Sequence, residues 1–138
     1  MFVTRRVEFS ASHICALPHL SQHRNHALYG PAANPNGHGH NYVLEVTLTG
    51  EPDPATGMVF DLKNLKQLLS EAVVEPFDHR FLNREVRPFD RVVPTAENIA
   101  VEIWNRLVPH FSNGSARLYN IRLHETEDLY VDYAGPSQ

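Results

Sequence analysis

Alternation of apolar and polar residues marks four strands along the chain. Over residues 2–12, Val7, Phe9 and Ala11 fall on one side at a period of two, and His13 continues that side. The same period runs through residues 38–49, where His38, His40, Tyr42, Leu44, Val46 and Leu48 stand together. A third segment, 116–125, places Tyr119, Ile121, Leu123 and Glu125 on one side, and a short strand covers 129–134. Two helical patterns lie between these pairs. Asp61 caps a helix with Leu62, Leu65, Leu68, Leu69, Ala72 and Val73 at three- and four-residue steps, which should stop near Pro76. Thr95 caps a second, whose apolar face carries Ile99, Ala100, Ile103, Trp104 and Leu107. Residues 14–37 show neither period and hold Pro18, Gly30, Pro31, Asn34, Pro35, Asn36 and Gly37, so a long loop is predicted. A loop of that length in a compact domain is usually either functional or wrongly assigned. The order β-β-α-α-β-β predicts an α+β fold: a four-stranded antiparallel sheet with two helices on one face, as a single domain over residues 1–138.

Composition narrows the function classes without naming one. The 138 residues carry 12 basic and 16 acidic side chains, a formal charge of −4, which argues against a general nucleic-acid binder. No apolar run approaches the roughly 18 residues of a membrane span, and Met1-Phe-Val-Thr-Arg-Arg6 has no signal-peptide core. With one cysteine, Cys15, no intrachain disulfide can form, and a reducing cytoplasm is the expected compartment. The unusual number is nine histidines.

Gly37-His38-Gly39-His40 is the strongest chemical signal. Side chains two apart on a strand point the same way, so both imidazoles leave one face, and the glycines leave room around an ion. A lone His-X-His is more often a surface pair than a metal site. A third histidine changes that balance if strands one and two are neighbours, because His13 ends the first. Three neutral imidazoles suit zinc, with the fourth tetrahedral position open to water or substrate. Asp78-His79 is either a carboxylate orienting an imidazole for proton transfer or an ordinary loop pair. Glu125 is either a buried carboxylate gripping a ligand or a solvated rim residue. Arg80, Arg84, Arg87 and Arg91 either bind phosphate or form a solvated loop face, with the latter the default. His19, His23, His26, His110 and His124 are expected at the surface.

Six segments together resemble the 6-pyruvoyl-tetrahydropterin synthase family. They are Phe9-Ser-Ala-Ser-His13, Asn34-Pro-Asn-Gly-His-Gly-His-Asn-Tyr42, Pro54-Ala-Thr-Gly-Met58, Phe77-Asp-His79, Thr95-Ala-Glu-Asn98 and His124-Glu-Thr126, in the family's order. The family also holds 6-carboxy-tetrahydropterin synthases, which this chain resembles less because their loop between the first histidine and the His-X-His is typically much shorter. The resemblance implies the tunnelling fold, and trimers stacked in pairs as a homo-hexamer with sites at subunit interfaces. It implies that His13, His38 and His40 bind Zn2+, that Asp78 and His79 are two members of a catalytic triad, and that Glu125 anchors a pterin ring. Thr95 and Glu97 match a segment that helps form the pterin pocket. The implied reaction converts 7,8-dihydroneopterin triphosphate to 6-pyruvoyl-tetrahydropterin with loss of triphosphate.

One position departs from the pattern. The family's third triad member is a cysteine six residues before the first histidine of the pair, and here that position is Ala32. Alanine neither takes nor gives a proton, so impaired turnover is expected; a 6-carboxy-type enzyme and a non-catalytic pterin-binding homologue are the alternatives. Cys15, two residues past His13, is the only thiol.

Overall fold

The computed structural model describes residues 1–137. Strand β1 (Phe2–His13) pairs antiparallel with β2 (His38–Thr49) along its whole length, from Phe2 opposite Thr49 to His13 opposite His38. Strand β4 (Arg117–Thr126) lies antiparallel on the far side of β2, and β5 (Leu129–Tyr133) closes that edge. These are the four strands that alternation predicts. A fifth, β3 (Arg80–Phe81), adds parallel to the free edge of β1, so the sheet runs β3-β1-β2-β4-β5. Two residues are too few to carry a period, which is why no sequence pattern marks it.

Asp61 accepts from the Lys63 N–H at 2.9 Å to start α2 (Leu62–Leu69), which widens into a π-helical stretch at Ser70–Val74 and ends in α3 (Glu75–Phe77). Pro76 lies near the end of this continuous helical run, directly after the π-helical stretch, and the helix ends one residue later at Phe77. After a short α4 (Leu82–Glu85), Thr95 caps α5 (Ala96–Leu107) by accepting from the Asn98 N–H at 3.3 Å. The apolar stripes of α2 and α5 bury Leu65, Leu69, Ile99, Ile103 and Leu107 against Phe9, Tyr42, Leu44, Val46, Ile121 and Leu123. Burying each such side chain is worth about 1.5–3 kcal/mol, and this one core holds helices and sheet together. The rings of Phe9 and Tyr42 stack at 5.0 Å, and Phe77 meets Phe9 edge-on at 5.4 Å, close below the histidine end of β1 and β2.

Two expectations are corrected. The span 14–37 is not all loop: it contains α1 (Gln22–Tyr29) and a 3-10 turn at Gly30–Ala33. Ser21 accepts from the Arg24 N–H at 3.1 Å to cap α1, but the helix buries only Asn25 and so has no apolar stripe to reveal it. Asn25 instead ties down the preceding loop, accepting from the Leu17 N–H at 2.8 Å and donating to the Leu17 carbonyl at 3.0 Å. Second, Tyr119 does not share the buried face with Ile121 and Leu123. A bulge shifts the register from Thr47 opposite Asn120 to Leu48 opposite Leu118, leaving Tyr119 as the extra residue, 50 % exposed, and Leu118 inside.

Candidate metal centre and its cavity

The register of β1 and β2 assembles the centre. His13 stands directly opposite His38, and Ala11 opposite His40, so the three imidazoles emerge on one face at the same end of the sheet. One nitrogen of each lies within 4.8 Å of the others, an arrangement suited to a metal ion. Glycine at 39 is a close-packing requirement, since a Cβ there would stand 3.2 Å from the Ala11 carbonyl oxygen.

The state of each ring follows from its partners. His13 is 1 % exposed, and its Nδ1 lies 2.7 Å from the Pro94 carbonyl, which can only accept. Nδ1 therefore carries the proton and Nε2 the lone pair, 3.0 Å from His38 Nε2. Nitrogens bound to one tetrahedral zinc at about 2.0–2.1 Å lie about 3.3 Å apart, close to this spacing. His38 Nδ1 and His40 Nε2 are buried without a hydrogen-bond partner. Buried imidazole nitrogens without partners, in a cluster of three rings, fit a cation, whose binding would satisfy the nitrogens that face it. Burial lowers all three imidazoles, His13 to about 4, with the neighbouring histidines adding to the effect on His13 and His40 adding to that on His38. The rings are thus neutral and metal-ready at neutral pH.

Glu125 completes the centre from the third strand. It falls at a second bulge, where the β4–β5 register slips between His124 and Thr126, and its Oε1 lies 3.6 Å from His13 Nε2 and 3.7 Å from His40 Nε2. Burial raises its pKa; His38 partly offsets this and Glu97 adds to it. A cavity of about 300 Å³ is lined by the three histidines, Glu125, Glu97, Thr95 and Ala32, and also by Cys15, Tyr29, Leu129 and Val131. The volume is at the small end of ligand pockets.

The sequence-derived residues thus divide. His13, His38, His40, Glu125, Thr95, Glu97 and Ala32 meet at one cavity. Asp78 and His79 form a real pair, Asp78 Oδ2 to His79 Nδ1 at 2.9 Å, but at the β3 edge outside that cavity, with the His79 side chain 84 % exposed. A hydrogen bond from the Ser10 N–H to Asp78 Oδ1 at 2.8 Å is the main cause that holds the carboxyl below its ordinary value, and His79 adds to it. His79 takes the left-handed backbone conformation, φ 59°. Cys15 lies beside Ala32, its N–H donating to the Ala32 carbonyl at 2.9 Å. Its Sγ is 3.9 Å from His13 Nδ1 and from the Pro94 carbonyl, on the side of the ring away from the other histidines, and burial pushes the thiol up to about 11. His19, His23, His26 and His110 are exposed as expected, whereas His124 is part-buried against Glu45 at 2.8 Å. Sequence reading missed Pro94 and Tyr29. Pro94 acts through its main chain, which leaves no side-chain signal, and Tyr29 lies on the unmarked helix.

Three histidines with an adjoining carboxylate, bordering a small cavity on a mostly antiparallel, helix-backed sheet, form a group that could hold a metal ion in an α+β protein. Comparison with known proteins agrees over nearly the full length. The family profile described as 6-pyruvoyl tetrahydropterin synthase matches residues 2–136. The 6-pyruvoyl tetrahydrobiopterin synthase of Homo sapiens is 47 % identical over 133 residues, 96 % of this chain and 90 % of that protein. A 6-carboxy-5,6,7,8-tetrahydropterin synthase of Rickettsia bellii is 32 % identical over 145 aligned residues, 94 % of this chain and 96 % of that one. The crystal structure of Caenorhabditis elegans 6-pyruvoyl tetrahydropterin synthase superposes with a TM-score of 0.91 at 39 % identity, covering 99 % and 96 % of the two chains. The chain belongs to the 6-pyruvoyl tetrahydropterin synthase family and has its tunnelling fold.

Proposed function

We propose that this protein is a zinc-dependent pterin lyase that converts 7,8-dihydroneopterin triphosphate to 6-pyruvoyl-tetrahydropterin with release of triphosphate, impaired by alanine at position 32. The observation that carries the reading is the convergence of His13, His38, His40 and Glu125 on one cavity in a chain of this family. His13, His38 and His40 would hold Zn2+ through the nitrogens that face one another. Bound zinc supplies Lewis acidity toward the hydroxyls of the substrate's side chain. Glu125, as carboxylate, accepts hydrogen bonds from the amino and ring N–H groups of the pterin and so fixes the ring's orientation. Thr95 and Glu97 border the same cavity, although the Thr95 hydroxyl already serves as the cap of α5.

Proton movement needs a base within reach of the side-chain carbons. Ala32 offers none, and the Cys15 thiol is turned toward the back of His13. Asp78–His79 is an oriented pair presented to solvent at the sheet edge, which suits service to the cavity of a neighbouring subunit in a homo-hexamer. A chain whose one thiol is buried and unpaired suits the reducing cytoplasm, and among the described residues no helix is long and apolar enough to cross a membrane.

Turnover of Ala32→Cys tests the proposal. A positioned acid or base contributes about 10²–10⁴-fold in rate, and triphosphate release should rise by that order while pterin affinity stays constant. A cysteine variant that binds the pterin and still releases no triphosphate would identify a pterin-binding homologue. Formation of the 6-carboxy product instead would favour the chemistry named for the Rickettsia relative.

A further inference from the structure

The edge of β1 opposite β2 is bonded by residues 78–83, and this cover reaches beyond the two residues of β3. At its start, Asp78 Oδ1 accepts from the Ser10 N–H at 2.8 Å while the His79 N–H donates to the Ser10 carbonyl at 2.6 Å. Arg80 and Phe81 then pair with Ala11 and Ser12. The chain turns away into α4 at Leu82, which would leave the next free peptide groups of the edge, those of Ile14, without a partner. The Asn83 carboxamide returns to meet both. Its Oδ1 accepts from the Ile14 N–H at 2.8 Å and its Nδ2 donates to the Ile14 carbonyl at 2.9 Å, in a part-buried setting. One planar amide, with one acceptor and one donor, thus stands in for the missing strand residue.

Ile14 directly follows His13 and directly precedes Cys15. The His13 ring itself is held at Nδ1, 2.7 Å from the Pro94 carbonyl oxygen and 3.4 Å from the Tyr42 hydroxyl. Fixing both peptide groups of Ile14 fixes the peptide on the C-terminal side of His13, and with it the direction of the Cα–Cβ bond that carries the ring. Ile14 also borders the approach to His38, since a Cβ at Gly37 would stand 3.6 Å from both the His13 carbonyl oxygen and Ile14 Cγ1. We propose that Asn83 is a positioning residue for the metal centre, setting His13 against His38 through its two-point bond to Ile14. The inference rests on the reading that the three histidines hold zinc.

The test is zinc affinity of the purified full chain, measured by competition with a chelating dye, for the parent, Asn83→Ala, Asn83→Asp and Leu118→Ala. Loss of a partner that orients a metal ligand typically weakens binding about 10–100-fold, and Asn83→Ala should fall in that range. Asn83→Asp keeps an acceptor for the Ile14 N–H but turns a second acceptor toward the Ile14 carbonyl, so it too should bind zinc at least several-fold more weakly. Leu118→Ala truncates a buried side chain opposite Leu48, far along the sheet from the histidines. It should lower the melting temperature and leave zinc affinity unchanged, separating positioning from general loss of stability. If Asn83→Ala, or Asn83→Asp should the alanine variant not fold, binds zinc within about two-fold of the parent, the positioning role is overturned while the metal reading stands. A parent chain that binds no zinc overturns both.

Discussion

Lowering the pH in the absence of metal should destabilise this protein chiefly through His13. The ring is 1 % exposed, donates Nδ1–H to Pro94 and has its other nitrogen 3.0 Å from His38, so the native state has no room for a second proton. Burial is the main cause of its depressed pKa, about 4 against 6.5 in an unfolded chain. Between those values the unfolded chain binds a proton that the native chain does not, so stability rises with pH across the window and His13 adds nothing further above pH 6.5. Each pKa unit is 1.36 kcal/mol, and the displacement corresponds to about 3 kcal/mol lost as the pH falls from 6.5 to about 4. That is a large share of the 5–15 kcal/mol typical of a domain. Glu125 works in the opposite sense, because its raised native pKa means that the native state binds the proton first, and Glu125→Gln removes that opposing contribution. The assay is urea unfolding in EDTA at several pH values from 7.5 to 4.5. His13→Asn keeps an amide donor for the Pro94 carbonyl and removes the titration, so the parent should lose about 2.5 kcal/mol more than the variant across the range. Parallel losses in the two proteins would refute the reasoning.

Zinc should bind at one ion per chain, and His38→Ala combined with His40→Ala should abolish stoichiometric zinc in metal analysis. Glu125→Gln replaces one acceptor oxygen with a donor at the cavity wall; pterin affinity should drop about 10-fold or more by fluorescence titration, and an unchanged value would place the anchor elsewhere. Light scattering should find a hexamer, since the chain presents Asp78–His79 outside its own cavity; a stable monomer with full turnover after Ala32→Cys would contradict the interface assignment.

Much of the fold was legible locally. Alternation in 2–12 and 38–49 located β1 and β2 because a strand with one buried face must repeat at two, and the stripes after Asp61 and Thr95 located the helices because a buried helical face must repeat near 3.6. The His-X-His pair on one strand face followed from the same period. Where a segment buries little, that signal vanishes: α1 hides only Asn25, and β3 is two residues long. Bulges defeat it in another way. Tyr119 sits in the expected phase of its strand and faces out, because the extra residue is counted against β2 and not against its own neighbours.

The chain alone marked the candidate site residues, and the motif order supplied the family assignment. Tertiary structure decided which of them meet. His13 reaches His38 because twelve consecutive cross-strand pairs set the register, and Glu125 reaches both His13 and His40 because a bulge re-aims it. Asp78 and His79 are adjacent in sequence yet stand outside the cavity, and Asn83 reaches Ile14 at the end of β1 only because the chain folds back beside that strand. Periodicity records which face of an element is buried, a property of neighbours in sequence. Register, bulges and edge cover are set by pairing between segments far apart in the chain, and no local pattern encodes that pairing.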